Sequence, residues 1–353
     1  MKRGLLLAAG TIVLLSSLMI VDSGEKAQAQ TKPIELRFAH FLPPVSARQK
    51  LLFEPWVKMI EERTNGRVKI TIYPAGSLLK QAQSIDGVLN NVAQISFADI
   101  EQSWGRFPLT EVVSLPMTPW ARNERTGNYM VYQLFEKGLI SSEFKDMKVL
   151  GLITAPPMVL SSSKKPIRTV SDMKGLKIAT GQKGLADAVQ LMGASPSNVL
   201  ASDTYLALQR GTVDATMFSW VGMAIFKLQE VTKYHNDSGW AVGPLATVMN
   251  RQTWDSLPAD IQKTIEGVSG EWYSKWDADV DTGVSERLVQ SIKAMPGHEI
   301  IEFSPEEEAK AREISHQVWD KWVKEMEGKG LPGKKVLDAA LQIMKEYKNW
   351  TLK

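Results

Sequence analysis

IELRFAHFLPPVSARQKLLFEPWVKMIEERTNGRVKITIY, residues 34–73, reads as strand, helix and strand in immediate succession. Ile34, Leu36 and Phe38 alternate with Glu35 and Arg37, the pattern of a strand with one buried face. Residues 47–63 follow as an amphipathic helix, with Leu51, Leu52, Trp56 and Ile60 on one side. Asn65-Gly66 turns the chain, Val68, Ile70 and Ile72 make the second strand, and Pro74-Ala75-Gly76 ends it.

Outward from that unit the alternation continues. A helix at about 80–90 precedes a strand at Gln94–Ala98. Residues 99–120 carry Gly105, Pro108, Pro116 and Pro119 and are expected to be irregular. A helix at about 122–137 leads to the strand Lys148–Ile153, and β-α-β-α-β order predicts a parallel-rich α/β domain. A second block repeats this alternation, with strands at Val159–Ser161, Leu176–Thr180, Val213–Met217 and Leu245–Asn250 and helices at about 184–192, 202–210 and 221–231. From Pro258 to about Leu288 the pattern is helical without interruption, long enough to bridge two lobes. Ser304-Pro305-Glu306-Glu307 is a capping box with Pro at the first helical position, opening a helix to about Glu327; a last helix is expected at about 333–347. A chain of 353 residues is long enough for two such domains.

At the N-terminus, Lys2 and Arg3 precede a mostly apolar run from Leu5 to Val21, and Ala27-Gln28-Ala29 is a small-x-small cleavage site. Residues 1–29 are therefore expected to be a signal peptide cleaved near Ala29, which predicts an exported chain.

Composition excludes several chemistries. Hydrophobic residues at 44% and charged residues at 23% match a globular protein, not a disordered or multi-span membrane chain. The 42 basic and 39 acidic side chains leave a formal charge of +3, without the strong basic excess of a nucleic-acid binder. With no Cys, there is no disulfide, thiolate metal site, cysteine nucleophile or lipid-modified N-terminal Cys. The four His residues, His40, His235, His298 and His316, form no HExxH motif. Gly328-Lys329-Gly330-Leu331-Pro332-Gly333-Lys334 approaches a phosphate loop, but Lys335 stands where Ser or Thr is needed. Gly181-Gln182-Lys183-Gly184 opens a helix after a strand but lacks dinucleotide spacing, and no GxSxG elbow is present. No catalytic constellation, metal site or cofactor is expected. Two α/β lobes, export and a high count of 11 Trp fit a binding protein that holds a small molecule in an interlobe cleft.

LRFAHFLPP (36–44) and EERTNGRVKITIYPAGSLL (61–79) resemble the N-terminal domain of the DctP-like solute-binding proteins of TRAP transporters. DMKGLKI (172–178), LMGASP (191–196), TYLALQRGTVDA (204–215), FKLQEVTKYH (226–235) and VMNRQTWDSLPADIQ (248–262) resemble the family's central and later segments, in order. The resemblance implies a two-lobed periplasmic-binding-protein fold with hinge strands and a long helix spanning both lobes. Lobe I is expected over 30–161 plus 243–282, and lobe II over 162–242 plus 283–353. The implied function is periplasmic capture of a solute, delivered by a monomer to the small and large membrane subunits of an ion-driven importer.

The resemblance also places a ligand-clamping Arg directly after the GLKI strand, where this sequence has Ala179. An Arg–carboxylate pair is bidentate and charge-assisted, each hydrogen bond to a charged group contributing roughly 1.5–3 kcal/mol. Its loss requires another cation or another class of ligand. Lys165 aligns roughly with a second cationic contact, and Lys183 and Arg106 lie in loops near the expected cleft. Gln182 falls in the loop after the strand, and Asp99, Gln102 and Trp104 in the loop after Gln94–Ala98. Asp99 would attract an amine, or else cap a helix. Phe41, Phe218 and Trp220 form an aromatic set suited to a flat or apolar ligand, or to packing between lobes. His40 is a ligand-orienting or structural residue. The expected ligand is a small, partly hydrophobic or aromatic organic acid. The alternatives are a neutral or amine ligand on the same fold, or a ligand receptor for a signalling system.

Overall fold

A computed structural model describes residues 32–103 and 105–352. The expected signal peptide and Trp104 lie outside the described residues. The strands are β1 Ile34–Ala39, β2 Val68–Tyr73, β3 Ile95–Asp99, β4 Met147–Thr154, β5 Met158–Ser162, β6 Lys177–Ala179, β7 Ser195–Ser197, β8 Ala215–Ser219, β9 Tyr234–Asn236, β10 Pro244–Asn250 and β11 Glu299–Ile301. The helices are α1 Glu54–Arg63, α2 Ser84–Leu89, α3 Glu124–Glu136, α4 Lys183–Leu191, α5 Thr204–Gln209, α6 Trp220–Ile225, α7 Arg251–Ser256, α8 Ala259–Glu266, α9 Glu271–Lys293, α10 Pro305–Gly328 and α11 Gly333–Lys345.

The strands form two mixed sheets, β2-β1-β3-β10-β4 and β11-β9-β5-β8-β6-β7. In the first, β2, β1 and β3 are parallel, and β10 runs antiparallel to both β3 and β4. The opening β-α-β unit behaves as its alternation predicts: Leu36 and Phe38 are buried and Glu35 is exposed. One expectation fails within it. Leu51 is 46% exposed, while Phe53 is fully buried. A π-turn at Gln49–Phe53 precedes α1, and its wider winding rotates Leu51 out of the stripe that a regular helix would present.

The chain crosses directly between the sheets from β4 to β5 and from β9 to β10, and once more from β10 to β11 by way of α7 to α9. The two direct crossings are bonded to each other, Ala155 N–H donating to Gly243 O at 2.7 Å and Met158 N–H to Ala241 O at 2.8 Å. Because β5 pairs with β8 and β9, the change of sheet falls between Thr154 and Met158, earlier than the boundary expected at residue 161. The expected helix from Pro258 is two helices. Gly270 breaks it, with φ of +61° and its N–H donating to Leu150 O at 2.7 Å, a conformation glycine adopts without strain. The second piece, α9, packs on α3 and β4 of the first sheet and on α6 beside the second. After β11, α10 lies against α4, and α11 returns to α3, so the C-terminal segment expected in lobe II ends on the first sheet's cover.

The buried side chains follow this plan. Phe38, Phe53, Trp56, Phe97 and Tyr273 form the core between the first sheet, α1 and α9. Val159, Leu208, Val213 and Met223 form one inside the second lobe. A third cluster draws on both, joining Phe107, Leu109 and Trp120 to Ile178, Leu185 and Trp319. Burying these faces is the main favourable term holding the lobes together.

Candidate functional site

The site begins at the end of β3. Asp99 caps a short 3-10 turn, Ile100–Gln102, its Oδ1 accepting from Glu101 N–H at 3.0 Å and its Oδ2 from Gln81 Nε2 at 2.8 Å. Both carboxylate oxygens are thus used locally. The turn aims Glu101 at the other lobe, where Gln182 holds the position just before α4 without capping it. Gln182 Nε2 donates to both Glu101 oxygens, at 3.2 and 3.0 Å, and lies 3.4 Å from Val242 O of the second crossing. Gly243 fits beneath this pair: a Cβ there would stand 3.1 Å from Gln182 Nε2 and from Glu101 Oε2. Gln182 Oε1 is buried and has no partner among the described residues.

Charge is concentrated here. Burial, then the neighbouring Asp99 carboxylate, pushes Glu101 up to about 7, against the hydrogen bonds from Gln182. Burial also raises Asp99, against its bonds to Gln81 and the Glu101 backbone. Glu101 lines a small cavity of about 70 Å³. Ile100, Phe107, Leu115, Val318 and Trp322 give it apolar walls. Glu101, Glu111, Lys183 and Glu325 give it charge, with Lys183 3.4 Å from Glu325. The lining comes from the loop after β3, the start of β10, the N-terminus of α4, and α10.

Of the residues expected at the site, Asp99 and Gln182 meet through Glu101. Gln102 is exposed on the same turn. Phe41 is half-buried and stacks on Phe97 at 5.5 Å. His40 is 1% exposed, edge-on to Phe38, with Nε2 bonded to Gln49 Oε1; burial lowers its pKa, so it is a neutral packing residue. Ala179 is buried, its methyl group in the second lobe's core beside Val159 and Val213. Trp220 is 5% exposed in the same core and donates Nε1–H to Asp237 Oδ2 at 2.9 Å, so it packs rather than stacks on a ligand. Phe218 is half-buried, edge-to-face with Phe226 at 5.6 Å.

Lys165 stands apart. In the antiparallel pairing of β5 with β8, Met158 lies opposite Ser219 next to the crossing, and Ser162 opposite Ala215 at the far end. Lys165 follows Ser162, so roughly 13 Å of strand separates it from the crossing. Sequence reading missed Glu101, Glu111, Trp322 and Glu325. For Glu101 a signal existed: Asp99 and Glu101 are two acids, two apart, directly after a strand.

The family model described as bacterial extracellular solute-binding protein, family 7 (DctP) matches residues 38–325. The C4-dicarboxylate-binding periplasmic protein DctP of Rhodobacter capsulatus is 26% identical over 313 residues, 83% of this chain and 87% of that protein. A TRAP periplasmic solute-binding protein from Desulfovibrio salexigens superposes with a TM-score of 0.82 at 26% identity, covering 89% of this chain and 97% of that one. A TRAP solute-binding protein from Rhodoferax ferrireducens, in complex with copurified benzoate, gives 0.80 at 25% identity, covering 89% and 98%. The match spans both sheets and both direct crossings, and the chain accordingly belongs to the DctP family of TRAP periplasmic solute-binding proteins.

Proposed function

We propose that the protein captures a small, partly hydrophobic or aromatic organic acid between its lobes and delivers it to the small and large membrane subunits of a TRAP importer. The observation that carries this reading is the cavity beside Glu101. Its apolar walls suit a ring or short chain, and Lys183 stands at its edge in the first turn of α4, where helix N–H groups favour an anion. In this reading Lys183 takes the part that the missing Arg at position 179 would play, and Lys165, at the far end of β5, does not. The benzoate of the Rhodoferax ferrireducens protein and the dicarboxylate of the Rhodobacter capsulatus protein support the choice of an acid. A near-neutral Glu101 can also donate a hydrogen bond to a carboxylate while protonated. The residues named here form the proposed site.

The test is a thermal-shift and Trp-fluorescence titration with benzoate, mandelate, succinate and benzylamine. A ligand at a hundred times its Kd stabilises the folded state by about 2.7 kcal/mol. A shift with benzoate or mandelate that Lys183→Ala weakens by about tenfold or more supports the assignment. Carboxylates without effect would sink it.

One observation favours a second reading. Asp99 and Glu101 place two carboxyl groups at the cleft, an arrangement that draws an amine when ionised. A shift with benzylamine alone, abolished by Glu101→Gln, would establish an amine or neutral ligand instead.

A further inference from the structure

We propose that Glu101 and Gln182 form an interlobe clasp, seated on Gly243, that biases the two lobes toward the closed arrangement before any solute is bound. The contact joins three parts that must move relative to one another if the lobes open. Glu101 belongs to the loop after β3 in the first sheet. Gln182 opens α4 beside the second. Gly243 lies on the crossing, one residue before β10, and its N-terminal neighbour Val242 also faces the Gln182 amide. A hydrogen bond from an amide to both oxygens of an enclosed carboxyl is favourable only while the lobes stay apposed.

The loop that carries Glu101 is fixed in turn. Asp99 holds the Glu101 N–H at 3.0 Å and is itself held by Gln81 at 2.8 Å, so the Glu101 side chain starts from a rigid turn. Two more donors cross nearby: Trp319 Nε1–H to Pro116 O at 2.8 Å, and Met117 N–H to Trp240 O at 2.8 Å. These bond backbone carbonyls, and the aromatic rings behind them are core. Glu101–Gln182 is a contact that side-chain substitution can remove without emptying a core; among the described residues the Arg122–Glu308 ion pair, between the first lobe and α10, is another, at the surface. Glu101 and Gln182 are therefore positioning residues, acting on lobe closure.

The inference rests on the two-lobe capture reading but not on the identity of the solute, because its readout needs no added ligand. With no native Cys, Lys58→Cys on exposed α1 and Leu191→Cys on exposed α4 accept spin labels selectively. Pulsed electron–electron distance measurement on the extensively dialysed protein then reports the separation of the lobes. Glu101→Ala, Gln182→Ala and Gly243→Ala are each expected to raise the open-to-closed ratio by about tenfold or more. The Glu101→Ala, Gln182→Ala double variant is expected to shift no further than either single one, as for two residues of one interaction. Arg67→Ala, which removes a surface pair with Asp260 on the first lobe, is the control and should leave the distances unchanged. Folded variants whose distance distributions superpose on that of the parent would overturn the proposal. Independent, additive shifts from Glu101→Ala and Gln182→Ala would overturn it as well. Either failure leaves a solute-induced thermal shift intact, so the clasp and the transport reading fall separately.

Discussion

Nε of Arg48 meets Oδ1 of Asp277 at 2.7 Å across 229 residues of sequence. Arg48 sits just before the π-turn that leads into α1, and Asp277 is in the second turn of α9. The same guanidinium reaches Asp281 at 2.5 Å and donates to Thr154 O, the last residue of β4, at 2.9 Å. Asn128 of α3 completes the group, donating to Asp277 Oδ2 at 3.1 Å and accepting from Thr154 N–H at 2.6 Å. One cation thereby ties the long helix to the strand end where the chain leaves the first sheet. Motion at the crossing starts from a fixed point.

Removing Arg48 leaves two enclosed carboxylates without a counter-charge. Burial already pushes Asp281 upward, with Arg48 opposing it and Asp277 and Glu124 adding to it. Arg48→Met is expected to destabilise the protein by about 3–5 kcal/mol, read as a fall in the urea midpoint. Asp281→Asn should cost far less, because it removes one of the two competing carboxylates. A loss under about 1 kcal/mol for Arg48→Met would mean the pair is effectively solvated.

Glu101 predicts a pH dependence with a definite sign. Its folded value of about 7 lies above the 4.5 of the unfolded chain. The folded state therefore holds this proton more tightly, and the stability it contributes is full below pH 4.5 and lost as pH rises through 7. The limit is about 3 kcal/mol, shared with the neighbouring Asp99 carboxyl. Asp99, Glu111 and Glu143 are also raised by burial and slope the same way. Urea unfolding of the parent and of Glu101→Gln at pH 5 and pH 8 isolates the part due to Glu101. The variant should gain on the parent by roughly 1–3 kcal/mol between the two pH values. Parallel pH profiles would refute the assignment.

Gly151 in β4 faces the ring of Tyr273 from α9, and a Cβ there would stand 2.2 Å from Tyr273 Cδ1. Tyr273 is fully buried, and its hydroxyl lies 2.9 Å from Thr247 Oγ1. The ring has nowhere to retreat. Gly151→Ala is therefore expected to destabilise by about 1–3 kcal/mol through overpacking, although alanine is otherwise acceptable in a strand. Calorimetry would check it. An unchanged melting temperature would show that α9 can lift from β4.

Residues 34–73 made the first sheet legible because alternation there is regular and long. The strands β7, β9 and β11 are three residues each, too short to leave a period-2 signal. The π-turn before α1 and the break at Gly270 were invisible for a different reason: the apolar pattern runs through both, and only backbone geometry distinguishes them. At the site, residue identity was a poor guide to direction. Trp220 has the chemistry of a stacking surface but finds its partner in Asp237, and His40 finds its own in Gln49. Lys165 falls near the cleft in a linear alignment, yet strand direction carries it to the opposite end of β5. Glu101 was masked by Asp99, the acid nearer the strand, whose oxygens the turn itself consumes.

Trp350 tests how the C-terminal segment is held. It is 6% exposed, donates Nε1–H to Glu271 Oε1 at 2.9 Å, and meets Tyr129 edge-to-face at 5.5 Å. Lys275 lies 5.4 Å from its ring centre, close enough for a cation–π contact. Together these fasten the end of the chain across α3 and the first turns of α9, on the first sheet's side. Trp350→Ala is expected to cost about 3 kcal/mol, from lost area and from the bond to Glu271. The loss should be local: hydrogen exchange should speed up in α11 and in the first turns of α3 and α9, while amides of β6 and β8 keep their protection. Exchange that accelerates equally in both sheets would mean the segment stabilises the whole molecule, and that α10 and α11 act as one strap across the two lobes.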